Sequence, residues 1–281
     1  MLHVTSGGAV LAELARAFPG EPAIAWEDVL HEGPVPPGEP LSHIREDYLR
    51  SLGWQADFTA RDHTLSEADR VLLWFEDDLY DQLQLIQILS ELAPWIGAEL
   101  VEIPQGVRAA ALPELRLTAR RITRKQFDLA AEAWEAFRSS DPSDLPPLIE
   151  RDELPHLGAA IRRLLEEYPS CDNGLSRVER QTLEALRDHG PMTPVELFTA
   201  NAAKEESIYL GDAVFFRYLA NLKPLIEDNA ITPLGIEVLG GKRDWLAIKP
   251  ADRWIGGVHL KGANPAWRWD GRNTERIRYC P

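Results

Sequence analysis

A buried strand gives way to an acidic helix start within Arg70-Val-Leu-Leu-Trp-Phe-Glu-Asp-Asp-Leu-Tyr-Asp-Gln-Leu-Gln-Leu85. The apolar run over residues 71–75 is typical of a strand that is buried on both faces. The run stops at Glu76, Asp77 and Asp78, and a helical pattern follows. Open α/β sheets bind their ligands at this kind of strand-to-helix junction. The stretch therefore predicts an α/β fold and a candidate site.

The acidic residues of this junction have two explanations. An acidic side chain in the first turn of a helix caps free N–H groups and complements the helix dipole, which requires no function. Capping accounts for one of Asp77 and Asp78, but Gln82 lies one turn beyond Asp78, with Asp81 beside it. Carboxylates this close repel unless solvent, a metal, a cationic ligand or a basic segment relieves them. Both a helix cap and a functional cluster stay open.

Three further segments complete the predicted sheet. Residues 2–5, 23–26 and 100–103 have the apolar patterns of short strands and alternate with helical patterns. Such alternation predicts an α/β domain with a small parallel Rossmann-like sheet and helices on both of its faces.

The second half of the chain predicts a mostly helical, winged-helix-like domain. Helical patterns occupy residues 177–189, 195–201 and 212–222, and residues 244–248 are expected to form the wing strand. Before them, residues 114–138 predict one long helix. The predicted organisation is an acidic α/β domain at 1–113, a helical connector at 114–174 and a winged-helix-like domain with a Trp-rich tail at 175–281.

The tail contains Trp254, Trp267 and Trp269 within a short segment. A strand pair with Gly256-Gly257 as its bend is the expected structure. The tail is expected to fold back onto the first domain, with His259 as an outside candidate for the site.

Charge is distributed unevenly along the 281 residues, whose formal net charge is −15. Residues 1–113 carry 19 acidic and 6 basic side chains, whereas the remainder carries 26 and 24. Phosphate backbones repel an acidic surface, so nucleic acid is not expected to bind the N-terminal half, although it stays open for the C-terminal half. Solubility alone also explains the gross charge.

Several classes of protein are not expected. No apolar run approaches the roughly 20 residues that span a bilayer, so no membrane association is predicted. Cys171 and Cys280 are the only cysteines, which excludes a disulfide framework or a cysteine metal site. The first residues lack the charged and apolar regions of a signal peptide, so a cytoplasmic protein is expected.

Side chains from three loops are expected to converge at the carboxyl edge of the sheet. Glycines between a strand and a helix can direct N–H groups at an anion, and histidine with carboxylates can bind a divalent metal or transfer protons. A lone histidine in a proline-rich loop more commonly forms only a local hydrogen bond. The predicted catalytic set is Asp28, His31, Glu32, Glu76 and Asp78, and the predicted ligand-binding set is His3, Ser6, Gly7, Gly8 and Gln82.

These candidates predict a protein that binds, or acts as an enzyme on, a small phosphorylated or nucleotide-like molecule, with a divalent metal as the candidate cofactor. One alternative is a winged-helix DNA-binding regulator that uses residues 175–250. Its expected recognition helix has only Arg217 and Lys223 as cations, which disfavours phosphate contacts. Another alternative is a protein–protein interaction module.

A set of short motifs is spread over most of the chain. The motifs are His3-Val-Thr-Ser-Gly7, Trp26-Glu-Asp28, His31-Glu-Gly-Pro34, Leu73-Trp-Phe-Glu-Asp-Asp-Leu79 with Gln82, Gly174-Leu-Ser-Arg177 and Trp254-Ile-Gly-Gly-Val-His259. Together they resemble a family of bacterial proteins that carry DUF1835 and DUF3658 domains. The resemblance implies an N-terminal α/β domain and a helical C-terminal domain, and it implies no activity and no catalytic residue.

Overall fold

The computed structural model describes residues 1–38, 40–92, 96–271 and 276–279. Cys280 lies outside these residues. The chain divides into two compact units, Met1–Ala160 with Gly256–Val258, and Ile161–Ile255 with His259–Pro281. The division into independently folding domains at residues 113 and 174 stays a prediction.

The first unit contains a five-stranded sheet and its helices, and the four predicted strands are confirmed, with ends shifted by up to three residues. The elements are β1 (Leu2–Thr5), α1 (Gly8–Ala17), β2 (Ala23–Ala25), α2 (Leu41–Ser51), α3 (Thr59–Ser66), β3 (Arg70–Phe75), α4 (Leu79–Glu91), β4 (Gly97–Glu102), α5 (Leu112–Leu115), β5 (Arg120–Arg121) and α6 (Arg124–Arg138). Short 3-10 turns occupy Arg116–Thr118, Pro142–Asp144 and Pro146–Leu148. Helix α7 (Leu157–Leu165) follows them, and its residues from Ile161 onward belong to the second unit.

The order of the strands, β2-β1-β3-β4-β5, determines where a ligand can bind. The first four strands are parallel, and β5 pairs antiparallel with β4. The chain leaves β1 towards one edge of the sheet and leaves β3 towards the other. Because crossovers are right-handed, α1 and α4 lie on opposite faces, which gives a Rossmann-like α/β unit. The direction reverses between β1 and β3, at the topological switch point where such sheets bind ligands.

Strand β3 lies at the centre of the core. Residues 71–75 are all buried, as the uninterrupted apolar run predicts. On one face of the sheet, Leu72 and Trp74 pack with Val101 of β4 and with Val10 and Leu14 of α1. Burial of each such side chain stabilises the fold by about 1.5–3 kcal/mol. This packing holds the carboxyl ends of β1 and β3 side by side.

The long helix predicted over residues 114–138 is wrong as one continuous helix over its first ten residues, because α6 begins at Arg124. Its start is set by a capping box, in which the Thr123 side chain accepts from the backbone N–H of Gln126 and Gln126 Oε1 accepts from the Thr123 N–H at 2.8 Å. Just before it, Arg120–Arg121 extends the sheet as β5. Apolar spacing alone assigned these two residues to the helix, whereas they form the edge strand of the sheet.

We expect Thr123→Ala to lower the free energy of unfolding by about 1 kcal/mol, because the first turn of α6 loses its cap. Urea unfolding measures this change. Thr64→Ala is the control, since the Thr64 hydroxyl only bonds back to the carbonyl of Ala60 within α3 and its loss should be neutral. Equal unfolding midpoints for the two variants would show that the Thr123 side chain does not cap α6.

The second unit is mostly helical, as predicted, and the three expected helices are confirmed with ends shifted by at most one residue. Its elements are α8 (Arg177–His189), α9 (Pro194–Ala202), α10 (Asp212–Asn221), β6 (Ile226–Glu227), β7 (Ala230–Ile231), α11 (Pro233–Leu239), α12 (Trp245–Ile248), β8 (Ala251–Ile255), β9 (Val258–Gly262), β10 (Trp267–Asp270) and β11 (Arg276–Tyr279), with a 3-10 turn at Lys223–Leu225.

The wing strand predicted at residues 244–248 is wrong, because this segment forms α12. Asp244 caps the helix through its Oδ1, which accepts from the N–H of Leu246 at 2.8 Å. A small antiparallel pair, β6 and β7, instead follows α10. Its turn residues Asp228 and Asn229 both have positive φ, as tight hairpin turns require. That the unit is a winged helix stays a prediction.

The strand pair expected in the tail is present as β8 and β9, with Gly256 and Gly257 as the bend between them. Residues Gly256–Val258 belong to the first unit, where the Gly257 N–H donates to the carbonyl of Phe137 at 3.0 Å. A side chain at Gly257 would collide with the backbone of Arg138, so the close approach requires glycine.

None of the helices in the described part of the chain has both the length and the apolar character that crossing a bilayer requires.

Candidate functional site

The loops that follow β1, β2 and β3 contact one another at the carboxyl edge of the sheet. The Glu27 N–H after β2 donates to the carbonyl of Ser6 after β1 at 2.9 Å. The Tyr80 hydroxyl, at the start of α4, donates to the same carbonyl at 3.3 Å. His31 packs edge-on against the Tyr80 ring, with ring centroids 6.1 Å apart. The three loops therefore meet at this edge, through backbone groups and through the Tyr80 and His31 rings. That the candidate side chains form one site stays a prediction.

The acidic junction between β3 and α4 is closed by its own side chains. Asp78 caps α4, since its Oδ1 accepts from the Asp81 N–H at 3.0 Å. Asp81 in turn accepts from the Glu76 N–H at 2.6 Å, and Gln82 Nε2 donates to the Glu76 carbonyl at 2.8 Å. Gln105 also donates to Asp78 Oδ2, at 3.4 Å. The helix-cap explanation of Asp78 therefore holds, and Gln82 has a structural role here.

Burial of this cluster changes its protonation. Desolvation, together with the neighbouring carboxylates of Asp78 and Asp77, raises the pKa of Glu76 to about 7. Desolvation likewise raises the pKa of Asp78 to about 6. The pKa of Asp81 lies well above its usual range, because the group is buried and faces Asp78. Near neutral pH the cluster holds protons, and Glu76, which is only half-buried, can exchange one with a ligand.

Asp28 belongs to a buried ion pair and does not join the acidic cluster. Its carboxylate accepts from Arg45 Nε at 2.9 Å and from Arg45 Nη2 at 2.7 Å, and both side chains are almost fully buried. Arg45 also donates to the carbonyls of Val29 and Glu32. The pair therefore organises the loop after β2, and the prediction that Asp28 is catalytic loses its physical support.

His31 and Glu32 lie in this same loop and are both buried. Glu32 contributes its backbone, since its carbonyl binds Arg45 and its N–H donates to the carbonyl of Val29 at 3.0 Å. His31 contributes its ring to the contact with Tyr80. Neither side chain lies on the exposed rim of the edge, where a ligand would arrive.

His3 is placed away from the loops, in the middle of β1, where it pairs with Ala23 and Leu72. Trp74 Nε1 donates to His3 Nδ1 at 3.1 Å, so the ring proton lies on Nε2 and is donated to Glu21 Oε2 at 3.0 Å. Burial lowers the pKa of His3, which favours this neutral form. Its predicted ligand role is therefore not supported, because both of its nitrogens are already bonded.

Gly7 and Gly8 start α1 directly above the end of β1. Gly7 is the N-cap and supplies no side-chain cap to the free N–H groups of the helix. A Cβ on Gly8 would lie 3.0 Å from Glu27 Oε1. The exposed Glu27 has a φ of 55°, a left-handed conformation that is uncommon for glutamate and that clusters at functional sites.

A cavity of about 510 Å³ opens beside the end of β2 and includes Glu27 in its lining. Its other walls are aromatic side chains and arginines that the sequence reasoning missed. The guanidinium of Arg61 lies between the rings of Trp26 and Phe58, 3.8 Å from each ring centre. Further lining residues are Ala25, Arg50, Trp54, Gln55, Ala56 and Asp57.

Buried Glu46 connects two walls of this cavity. Its Oε1 accepts from the Phe58 N–H at 2.8 Å, and its Oε2 accepts from Arg50 at 2.9 Å. The sequence feature that could have indicated this cavity is the concentration of Trp54, Phe58 and two arginines between residues 50 and 61. Aromatic rings with arginine are typical of sites for rings and phosphates.

No preformed metal site accompanies these residues. Among the residues that the structure describes, no group of three or more His, Cys, Asp or Glu side chains is arranged to hold a metal ion. Protein-family models give no match to this chain, and a search of curated proteins gives none either. Membership of the DUF1835 and DUF3658 family therefore stays a prediction.

Glu76→Gln should change the pH dependence of stability. Because the pKa of about 7 in the folded protein lies above the ordinary value of 4.5, this carboxyl favours the fold below pH 4.5, and the contribution is lost as the pH rises to 7. We expect the variant to exceed the wild type by about 1 kcal/mol at pH 8, after allowance for solvent screening, and to match it at pH 4. Urea unfolding across this range measures the difference, and parallel curves would contradict the raised pKa.

Arg45→Met should lower the free energy of unfolding by about 3–5 kcal/mol, because it leaves the buried Asp28 carboxylate without its partner. Adding Asp28→Leu to this variant should restore part of the loss, since no uncompensated charge then remains. Arg124→Met, at an exposed arginine of α6, is the control and should change stability little. The prediction is wrong if the double variant is no more stable than Arg45→Met.

Proposed function

We propose that the protein binds a small nucleotide-like molecule, one with an aromatic ring and a phosphate, at the carboxyl edge of its parallel sheet. The observation that carries the proposal is the aromatic and arginine-lined cavity, which opens at the same edge as the switch point between β1 and β3. Glu27 connects the cavity with the start of α1, because it lines the cavity and lies beside Gly8.

The cavity fits the ring of such a ligand. A volume of about 510 Å³ lies within the range of about 300–1,000 Å³ that small-molecule sites occupy. Arg61 already fills the space between Trp26 and Phe58, so the half-buried Trp54 offers the free aromatic face. Arg50 lies at the same wall and can meet an anionic group.

The start of α1 fits the phosphate. Its first N–H groups have no side-chain cap, and a helix N-terminus favours an anion. The nearby exposed carboxylates, Glu27 and Asp77, would repel a bare phosphate. A magnesium ion commonly reaches such sites together with the phosphate and needs only one or two protein carboxylates. The lack of a preformed metal cage among the described residues therefore agrees with a magnesium–nucleotide ligand.

Glu76 is the proposed acid–base group if the bound molecule reacts. It is half-buried, with a pKa raised to about 7 by burial and by its acidic neighbours. A group with such a pKa can both accept and donate a proton at neutral pH. This role replaces the one predicted for Asp28, whose carboxylate is bonded to Arg45.

Isothermal titration calorimetry of the full chain with AMP, ADP and GDP, with and without Mg²⁺, tests the proposal. We expect binding that strengthens with Mg²⁺ and that weakens about tenfold in Trp54→Ala, because stacking on an aromatic ring contributes about 1–3 kcal/mol. Trp254→Ala is the matched control, since Trp254 is a half-buried tryptophan of the second unit. Absence of binding heat for all three nucleotides at about 1 mM would overturn the proposal.

The DNA-binding regulator and the interaction module stay predictions, because no contact among the described residues of the second unit specifically favours either. Within α10 (Asp212–Asn221), Arg217 is the only basic side chain and Phe216 is exposed. An exposed aromatic residue beside a single cation is a poor match to a phosphate backbone.

A further inference from the structure

The second unit contains a cleft of about 640 Å³ whose lining is rich in arginine. Helix α8 forms one wall, α7 and the residues after it form another, and the turn at Gly240 and Gly241 with Trp269 completes it. Four guanidinium side chains line this space: Arg162, Arg177, Arg180 and Arg187. In a chain with a formal net charge of −15, such a concentration of cations is unexpected.

The geometry of α8 explains how three of these arginines share one face. Arg177, Arg180 and Arg187 lie three and ten residues apart along the helix, close to whole turns of 3.6 residues. The opposite face is buried and includes Val178, Leu183 and Leu186. A capping box formed by Ser176 and Glu179 fixes the start of the helix. The cationic face is therefore held on a rigid element.

Two of the three carboxylates that line the cleft are paired with basic side chains. Glu166 binds Arg177, itself a residue of the cleft, at 2.5 Å, and Glu184 binds Lys204 at 3.2 Å. The third, Asp172, is exposed. Among the described residues, Arg187 pairs with its exposed neighbour Asp188, a surface pair that contributes little.

Arg180 is exposed, and over the described parts of the chain its guanidinium forms neither a hydrogen bond nor an ion pair. The cleft thus presents at least one uncompensated guanidinium and a second one that can exchange its partner. The four arginines of the lining outnumber its three carboxylates. Because a concave surface focuses the field of the charges that line it, such groups attract anions more strongly than isolated surface arginines do.

We propose that this cleft binds a small polyanion of the di- or triphosphate class. Arginine forks match phosphate oxygens in pairs of parallel hydrogen bonds, and arginines from two helices can reach several oxygens of one ligand. The concave shape and the volume of about 640 Å³ fit a small molecule, whereas a duplex needs an extended cationic surface. This site is separate from the sheet-edge site, and the proposal does not depend on that one.

Titration of the full chain with tripolyphosphate at low ionic strength tests the cleft. We expect the Kd to rise about tenfold in Arg180→Ala/Arg187→Ala, the equivalent of one charge-assisted hydrogen bond. Arg217→Ala is the matched control, because Arg217 is an exposed arginine in the middle of a helix of the same unit. It should leave the Kd unchanged, as should Trp54→Ala in the sheet-edge cavity.

Several results would overturn the proposal. They are a lack of tripolyphosphate binding, an unchanged Kd in Arg180→Ala/Arg187→Ala, and an equal loss in Arg217→Ala, which would indicate a general effect of net charge. Binding of duplex DNA that depends on Arg180, without binding of tripolyphosphate, would identify a nucleic-acid surface instead. Circular dichroism of each variant confirms that the fold is intact, as expected for exposed side chains. Loss of nucleotide binding in Trp54→Ala alone would concern only the sheet-edge site.

Discussion

The backbone at the β3–α4 junction is partly buried, and its buried polar groups must still be bonded. A buried N–H or carbonyl without a partner costs about 1–3 kcal/mol. Asp78 and Asp81 accept the N–H groups of Asp81 and Glu76, and Gln82 donates to the Glu76 carbonyl. The end of β3 therefore passes into α4 in one fixed geometry. The loops after β1 and β2 contact this junction through Tyr80.

The same bonding separates structural carboxylates from those that can meet a ligand. Asp78 and Asp81 are fixed in place by the backbone, and desolvation raises the pKa of each. Asp28 is equally committed, to Arg45. Glu76, Asp77 and Glu27 differ, because their side chains reach the solvent at the rim. The carboxylates that can reach a ligand are therefore the exposed ones at the rim. The buried carboxylates fix the shape of the sheet edge and hold its protons.

The sequence predicts the features that depend on neighbouring residues. The uninterrupted apolar run of β3 and the cap at Asp78 are local, and the structure contains both. The alternation of strands and helices predicts a small parallel sheet, whereas the order of its strands comes from the structure alone. The convergence of three loops was predictable on the same grounds.

Long-range pairings could not be predicted in this way. Arg45 lies 17 residues from Asp28, and its choice of partner depends on how α2 packs. His3 shares a face of the sheet with Trp74, 71 residues away, and only the register of β1 and β3 makes that contact. The aromatic cavity likewise requires α2 and α3 to bring Arg50, Trp54 and Phe58 beside β2. The sequence shows that such residues are present, but it does not show which residues they contact in the fold.

The charge of a ligand that each proposed site can bind depends on which of its charged side chains are already paired within the protein, and not on the net charge of the chain. Residues 1–113 contain only six basic side chains. Arg45 and Arg61 are buried in contacts with protein groups, whereas Arg50, which pairs with Glu46 and Asp47, is about half exposed. An anion at the sheet edge must therefore rely on backbone N–H groups, on Arg50 and on a cation that arrives with it. In the second unit, acidic side chains are instead neutralised within the protein, and Arg180 is left to face the solvent. An acidic chain can in this way offer two different solutions for binding anions.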